Sequence, residues 1–312
     1  MDIRSEQAEP GRDGAAARRS TIVNEQGPLI NLAYRLLGSL ADAEDAVQEG
    51  YARWYALAPE QQDAIGSPGA WLSTVVSRVC LDLLGSARVR RERYVGEWLP
   101  EPVPDAREWS GRRPGAGIDP ADRITLDESV AMAFLVVLDS MTPAERVAFL
   151  LHDVFRYPFT EVAEIVGRTP AACRQLASSA RRRVGDARPV AAPVARARVV
   201  RDFKRAWEAQ DIGALIELLD PSATATADGG GRVAASLTPI EGAAEIARFL
   251  VGLARQAGAL NLLERTVNGQ AGLVATDQGK TVAVYAFEIA GDHIQRLWVV
   301  RNPVKLRVWM RG

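Results

Sequence analysis

The chain has 312 residues, enough for two or three domains, and its 47% hydrophobic and 25% charged residues are typical of folded globular proteins. No apolar run approaches the ~18 residues of a membrane span, and Met1 to Ser20 lacks the apolar core of a signal peptide, so we expect a cytoplasmic protein. Cys80 and Cys173 lie in helical patterns without zinc or disulfide spacing. We therefore expect no cofactor and no metal site.

The net charge of -1 conceals local concentrations of positive charge. All but three of the 38 basic residues are arginines, whose planar guanidinium suits phosphate and guanine. Two clusters occur at the ends of predicted helices: Arg88, Arg90, Arg91 and Arg93, then Arg181, Arg182 and Arg183. A solvated helix end that complements the helix dipole explains either cluster equally well. The charge alone therefore does not establish DNA binding.

The first part of the chain is predicted to be helical. Residues 1–23 show no periodicity and are expected to form a flexible tail, whereas apolar residues recur at helical spacing over 24–93. Ser67-Pro68 is typical of a helix N-cap followed by proline at the first helical position. Prolines and glycines then dominate residues 94–125, which predicts a linker.

Helical spacing returns over residues 126–186. Thr142-Pro-Ala-Glu145 is a capping box, and Gly167 separates two short helices, of which the second begins at Thr169-Pro170. This order predicts a helix-turn-helix, although a purely structural helical hairpin would have the same spacing. A second helix in the major groove would direct these side chains to base edges or phosphates: Arg174, Gln175, Ser178 and Arg181, with Arg182 and Arg183 on phosphates.

After a second linker at 187–197, residues 198–312 are predicted to form an α+β domain. Helical patterns occur at Val199 to Trp207, Ile212 to Leu219 and Ala243 to Gln256. We expect the second of these helices to end by Pro221 and Asp228 to Gly231 to form a turn. Strand-like runs then predict an antiparallel meander: Leu260 to Val267, Gly272 to Thr276, Thr281 to Ile289 and His293 to Arg301.

Several motifs together resemble one family. Asp42-Ala-Glu-Asp-Ala-Val-Gln-Glu49 with Trp54, then Ala70-Trp-Leu with Asp82, resemble the first domain of extracytoplasmic-function (ECF) RNA polymerase sigma factors. The stretch from Ala144-Glu-Arg146 to Arg183 resembles their second, promoter-binding domain. Three further motifs resemble the subgroup with a SnoaL-like C-terminal extension: Trp98-Leu-Pro-Glu-Pro-Val103, Asp228-Gly-Gly-Gly-Arg232 and Asn302-Pro-Val-Lys-Leu306.

The resemblance implies two all-α sigma domains, the second a helix-turn-helix, followed by a cone-shaped α+β SnoaL/NTF2-like domain. Sigma domain 2 would span 24–93, sigma domain 4 would span 126–186, and the SnoaL-like domain 198–312. The implied function is that of an alternative sigma factor, which binds core RNA polymerase and directs promoter recognition and transcription initiation. The SnoaL-like domain would modulate this activity in cis.

Individual residues acquire expected roles from the same resemblance. The second sigma domain would meet the polymerase β flap. An acidic face of the first would bind the clamp helices of the β′ subunit through Asp42, Glu44, Asp45, Gln48 and Glu49. The melted minus 10 element would be contacted by Arg78, Arg88, Arg90, Arg91 and Arg93, and the duplex minus 35 element by the second arginine-rich helix. Arg78, Gly85 and Ser179 depart from residues frequent in the family, so base preferences do not transfer.

The linker motif carries large apolar side chains and is expected to dock on the third domain. The interdomain set comprises Trp98, Leu99, Pro100, Asp228, Gly229, Gly230, Gly231, Asn302, Pro303 and Lys305. Docking would fix the spacing of the two promoter-binding domains.

Two other functions stay open. SnoaL-like pockets in other proteins serve isomerisation or ligand binding, and this one could hold a small ligand. The candidate bases Asp211, Asp228, Glu264, Glu288 and His293 show no catalytic pattern, so we do not expect an enzyme. The first alternative is a DNA-binding regulator whose SnoaL-like domain binds or turns over a small molecule. The second is a repressor that binds duplex DNA without polymerase.

Overall fold

The computed structural model describes residues 25–91, 94–105, 130–185, 193–256 and 260–310, with backbone only for 87–91 and 256. Residues 25–91 form the N-terminal helical unit, with helices α1 Gln26–Leu37, α2 Leu40–Tyr55, α3 Pro59–Ala64 and α4 Pro68–Arg91. Ser67 Oγ accepts a hydrogen bond from the Ala70 amide at 3.4 Å, as expected of the N-cap predicted there. Gly38 ends α1 in the left-handed conformation, with φ of 70°.

Residues 130–185 form the second helical unit, with α5 Met132–Asp139, α6 Pro143–Phe149, α7 Phe159–Val166 and α8 Pro170–Gly185. The helix α6 continues as a π-helical turn over Leu150–Val154. The predicted capping box is present, since the Glu145 amide donates to Thr142 Oγ1 at 3.3 Å and the Thr142 amide donates to Glu145 Oε2 at 3.0 Å. Gly167 ends α7 with φ of 69°, and α7 and α8 form the helix-turn-helix.

The two helical units share one hydrophobic core, because α4 packs against both α6 and α7. Arg146 of α6 is only 3% exposed and donates across the boundary to the Leu36 carbonyl at 3.0 Å. The same guanidinium donates to the Leu138 carbonyl and pairs with Asp139 at 2.8 Å each. A buried charge with this many acceptors is held firmly, so Arg146 fixes the second unit on the first.

Residues 193–256 and 260–310 form the sheet domain. Its elements are α9 Pro193–Glu208, α10 Ile212–Leu218, β1 Leu219–Asp228, β2 Ile240–Glu241, α11 Ala243–Gln256, β3 Asn261–Val267, β4 Gln270–Asp277, β5 Lys280–Ala290, β6 His293–Val300 and a 3-10 turn at Arg307–Trp309. The described strands have the order β2-β1-β6-β5-β4-β3. Strands β3 to β6 form the predicted antiparallel meander.

The prediction for the segment before this meander was wrong. The sequence pattern favours a helix to Leu219 and a break at Pro221, whereas the structure places both residues in β1, which pairs in parallel with β6. Pro221 lies within a register irregularity between Leu219 and Thr224, where a residue without an amide proton is tolerated. The small side chains of Ala223 to Ala227 also give β1 little of the hydrophobic alternation that marks a half-buried strand.

The sheet buries both of its faces. Tyr285 and Phe287 of β5 belong to the core shared with α9, α10 and α11, whereas the alternate residues Val284 and Ala286 belong to a second core on the opposite face. The second core is completed from outside the sheet by Leu99 of the linker, Met132 of α5 and Trp309 of the C-terminal turn. The sheet domain is thereby packed against the rest of the chain.

Candidate functional site

The acidic face predicted for polymerase binding lies on α2. Asp45, Gln48 and Glu49 are exposed, and Asp42 and Glu44 are partly exposed. Ala43, Ala46, Val47 and Trp54 of the same helix are buried, so the helix separates a core face from a polar face. Arg53 forms an ion pair with Glu49 at 2.9 Å, which leaves the face acidic overall.

The helix-turn-helix presents its second helix to solvent. Cys173, Ala177 and Ala180 of α8 are buried, whereas Arg174, Gln175 and Arg182 are exposed and Ser178 is partly exposed. Arg174 lies over the Phe159 ring, with its guanidinium carbon 5.7 Å from the ring centre. Exposed arginine and glutamine on one helix face form a surface suited to DNA.

Two of the predicted DNA-binding arginines of α8 have polar partners within the chain. Arg181 forms an ion pair with Asp153 at 2.7 Å, and Arg183 donates to the Ser140 carbonyl at 2.9 Å and lies 3.4 Å from Glu145. Ser179 donates to Glu145 at 2.8 Å and so packs toward α6 rather than toward solvent. DNA contacts by Arg181 and Arg183 would compete with these contacts, of which the Arg181–Asp153 pair lies at the surface and is weak.

The arginines of α4 differ in what the structure describes. For Arg88, Arg90 and Arg91 the structure describes only the backbone of α4. Arg93 lies outside the described residues. Arg78 is exposed and donates to the Glu164 carbonyl of α7 at 3.0 Å. Trp71 is partly buried and packs edge-on against Trp54 with ring centres 5.3 Å apart.

The linker segment Tyr94 to Asp105 lies between the N-terminal helical unit and the sheet domain. The Glu101 amide donates to the Gly38 carbonyl at 2.8 Å on one side, and Trp309 Nε1 donates to the Pro102 carbonyl at 2.8 Å on the other. Gly38 admits the Trp98 ring, because a Cβ there would lie only 3.0 Å from the ring and 3.5 Å from Pro100. Leu99, Pro100 and Val103 are buried.

Asp228, at the end of β1, is fully buried, and its carboxylate accepts four hydrogen bonds. Its Oδ2 accepts from the Leu99 amide at 3.0 Å and from Lys305 Nζ at 2.7 Å. Its Oδ1 accepts from Tyr94 Oη at 2.6 Å and from the Gly230 amide at 3.0 Å. Two of these donors come from the linker, so this carboxylate holds the linker on the sheet domain.

Lys305 completes this cluster. Its Nζ also donates to the Leu99 carbonyl and lies 4.1 Å from the centre of the Trp98 ring. The phenol of Tyr94 accepts a hydrogen bond from Asn302 Nδ2 at 2.8 Å, and burial with the Asp228 carboxylate raises its pKa. The ammonium and the carboxylate are both buried and neutralise one another.

The glycines after Asp228 are required by close approach. Gly230 and Gly231 adopt positive φ of 60° and 66°. A Cβ at Gly230 would collide with Asn302, and one at Gly231 would lie 3.0 Å from Val95 of the linker. Asn302 is buried, while Pro303 is partly exposed.

Comparison with known proteins decides the family. The Sigma-70 region 2 family matches residues 22–90, and the Sigma-70 region 4 family matches residues 131–184. The ECF RNA polymerase sigma factor SigJ of Mycobacterium tuberculosis is 38% identical over 296 residues, which cover 89% of each chain. The chain belongs to the ECF RNA polymerase sigma factors. A probable ECF sigma factor of the same organism, SigI, is 38% identical over 203 residues, 64% of this chain and 66% of that one.

The crystal structure of Mycobacterium tuberculosis SigJ superimposes on this ECF sigma factor with a TM-score of 0.72, at 35% identity over 92% of this chain and 97% of that one. The predicted fold class, two helical sigma domains followed by an α+β SnoaL-like domain, is confirmed. The N-terminal helical unit is called region 2 below, and the second helical unit region 4.

Glu101 of the linker lies at the start of the helix that carries the acidic face. Its Oε2 accepts a hydrogen bond from the Leu40 amide at 2.9 Å, and its own carbonyl accepts from Tyr34 Oη at 2.7 Å. Burial raises the pKa of Glu101 to about 7, and Asp42 and Glu44 add to the rise, while the Leu40 amide and Lys305 oppose it. The linker of this sigma factor thus reaches both the sheet-domain cluster and α2.

Sequence reasoning missed several interface residues, among them Tyr34, Asn268 and Trp309. Trp309 and Tyr34 are each at most 1% exposed, and Asn268 is fully buried. The Tyr34 and Trp309 patterns are those of ordinary core aromatics, and Asn268-Gly269 is an ordinary hairpin turn. No local sequence signal distinguished these residues from structural ones.

The candidate bases do not converge on one site. Asp211 caps α10 through the Ala214 amide at 3.0 Å, Glu264 pairs with Arg201 at 3.5 Å, and Glu288 with Arg296 at 3.4 Å. Asp211 and His293 alone among them line an open groove of about 490 Å³ beside α9 and α10. In the described ranges no cluster of metal-binding side chains occurs, and none of the helices there has the length and apolar character to span a membrane.

Proposed function

We propose that the sheet domain of this ECF sigma factor controls, within the same chain, when region 4 becomes free to engage promoter DNA. As a sigma factor the chain binds core RNA polymerase and promoter DNA. In the proposal, residues 24–93 carry polymerase and minus 10 contacts, residues 126–186 carry minus 35 contacts, and residues 198–312 modulate the activity of the sigma factor in cis. The observation that carries the proposal is the hydrogen bond between Arg78 of region 2 and Glu164 of region 4, at 3.0 Å.

This contact places the two DNA-binding regions too close together to bind both elements of a promoter at once. Elements named minus 10 and minus 35 are about 25 base pairs apart, which is about 85 Å at ~3.4 Å per base pair. Arg78 and the helix-turn-helix instead lie in contact, and the two regions share one core. Regions 2 and 4 must therefore separate before both elements are bound.

The sheet domain supports the closed arrangement from one side. It binds the linker through Asp228 and Lys305, and it buries Met132 of α5, the first helix of region 4. The sheet domain also bonds region 2, since Asn268 Nδ2 donates to Tyr34 Oη at 2.9 Å, so region 4 and the linker cannot leave region 2 without breaking a contact to the sheet domain. The sheet domain thus holds the linker and region 4 against region 2, a role called the clamp function of the sheet domain below.

The acidic face of α2 stays accessible in the closed form, since Asp45, Gln48 and Glu49 are exposed. Region 2 is therefore proposed to dock on the β′ clamp helices before opening, and region 4 to reach the β flap only afterwards. This order makes placement of region 4 the regulated step, in the cytoplasm, where core polymerase is found.

We propose no catalytic role for the sheet domain. The space between its sheet and helices is filled by Phe203, Trp207, Tyr285 and Phe287, which pack edge-on in successive pairs. Trp207 Nε1 also donates to the Leu250 carbonyl at 2.8 Å, so the buried indole nitrogen is satisfied. A substrate bound between the sheet and these helices would have to displace these rings.

A chemical lock tests the regulated step. Cys80 and Cys173 are buried, so cysteines introduced as Arg78→Cys and Glu164→Cys can be joined selectively by a short bis-maleimide. The locked chain should still bind core polymerase but should lose promoter-specific run-off transcription. The same double variant treated with a monofunctional maleimide is the control for the loss of Arg78. Undiminished run-off from the locked chain would refute the requirement for opening.

Polymerase binding by α2 has its own test. Asp45→Ala with Glu49→Ala removes two exposed carboxylates, so we expect a polymerase affinity at least tenfold lower in a core-binding assay. Circular dichroism should match the wild type, because exposed substitutions usually cost under about 0.5 kcal/mol. Glu60→Ala and Asp63→Ala on the exposed side of α3 are the matched control. Equal affinity of the two double variants would exclude the α2 face as the interface.

A further inference from the structure

Asn268 is buried in a place where hairpins normally expose their turns. Asn268 and Gly269 join β3 to β4 with φ of 51° and 73°, and Val267 pairs with Gln270 across the turn. Positive φ at both positions is the type I′ geometry that Asn-Gly favours. The turn explains the backbone, but it does not explain why the Asn268 side chain is fully buried.

The Asn268 side chain makes hydrogen bonds to three separate parts of the chain. Its Oδ1 accepts from the Val103 amide at 3.1 Å, and its Nδ2 donates to Tyr34 Oη and to the Val130 carbonyl at 2.9 Å each. Its own amide donates to the Val103 carbonyl at 2.8 Å. Both amide protons of the side chain are used, and its oxygen is satisfied.

The three partners belong to the segments that must separate when the sigma factor opens. Tyr34 lies in α1 of region 2, Val103 in the linker, and Val130 just before α5 of region 4. Tyr34 Oη also links region 2 to a second residue of the linker, since it donates to the Glu101 carbonyl at 2.7 Å. A single side chain of the sheet domain thus contacts every part of the closed assembly.

Burial makes these contacts interdependent. If one segment left alone, the freed polar group of Asn268 would stay buried without a partner and would bear its full desolvation penalty. If all three segments left together, water would reach every group at once. We propose that Asn268 is a positioning residue that couples the release of region 2, the linker and region 4 from the sheet domain into one step. Its consequence for transcription rests on the clamp function proposed above.

Hydrogen exchange on the full chain tests the coupling. Asn268→Gly keeps the positive φ and removes the side chain, and Gln278→Gly is the matched control, because Gln278 occupies the same place in the exposed β4–β5 turn with φ of 48°. Three amides that do not bond to Asn268 report on the coupling. The Leu40 amide donates to Glu101 Oε2, the Glu101 amide to the Gly38 carbonyl, and the Leu135 amide to the Ala131 carbonyl.

We expect Asn268→Gly to accelerate exchange at these three amides by a common factor of about tenfold, which corresponds to about 1.4 kcal/mol, while the β4 and β5 amides keep wild-type rates. Tyr34→Phe, a change within region 2 that removes the bonds of Tyr34 to Asn268 and to the Glu101 carbonyl, should also accelerate the Leu135 amide of region 4. Unequal factors, a wild-type Leu135 rate in Tyr34→Phe, or equal effects of the two glycine variants would each overturn the coupling.

Run-off transcription by Asn268→Gly separates this inference from the clamp function. Joint acceleration of exchange with altered run-off supports both. Joint acceleration with wild-type run-off leaves the coupling intact and contradicts the proposed control by the sheet domain.

Discussion

Asp228→Ala should undock the linker from the sheet domain and lower the free energy of unfolding of the full chain by about 3–5 kcal/mol. The substitution leaves the Lys305 ammonium buried without its carboxylate, and it removes the acceptor of the Leu99 amide and of the Tyr94 phenol. The free-energy loss is measurable by urea unfolding. Hydrogen exchange should show faster exchange at the Leu99 amide.

A double-mutant cycle isolates the ion pair from the other contacts of Asp228. Lys305→Met should also be destabilising, because Asp228 is fully buried, but Asp228→Ala combined with Lys305→Met should cost less than the sum of the two single changes. Asp292→Ala, which removes an exposed partner of Arg198 in the same domain, is the control and should lower the free energy of unfolding by under about 1 kcal/mol. Strict additivity of the cycle would show that the cluster is not held by this pair.

The helical parts of this sigma factor could be predicted because their signals are local. The N-cap at Ser67 and the capping box at Thr142 depend on residues three positions apart, and both are present in the structure. The strand β1 lacked such a signal, since its pairing with β6 joins Ala225 to Leu297, far apart in sequence. Non-local pairing of small residues leaves no periodic pattern to detect.

The interdomain site was predictable in part for the same reason. A tryptophan and a leucine in a proline-rich linker indicate docking, and Asp228 with its glycines marked one surface. The identity of the remaining partners depended on how two separately folded units meet. Asn268 fits the local rules of a hairpin turn, and Arg146 those of an amphipathic helix, so their roles at unit boundaries became visible only from the contacts.

Glu101 makes the docking of the linker dependent on pH. Its folded pKa is about 7, raised by burial from an ordinary value near 4.5. Between these values the folded chain retains a proton that the unfolded chain has lost, so the contribution of Glu101 to stability is complete below pH 4.5 and declines as the pH rises through 7. This difference between the folded and unfolded pKa corresponds to on the order of 3 kcal/mol in the free energy of unfolding.

Glu101→Gln should remove this dependence, because a neutral amide oxygen still accepts from the Leu40 amide but carries no buried charge. We expect the variant to match the wild type in urea unfolding near pH 4.5 and to be more stable by about 1–3 kcal/mol at pH 8. Glu60→Gln, an exposed carboxylate on α3, is the control and should leave the difference between the two pH values as in the wild type. If Glu101→Gln is instead less stable than the wild type at pH 8, the attraction of the charged carboxylate to the Leu40 amide and Lys305 outweighs burial, and folding does not raise the pKa of Glu101.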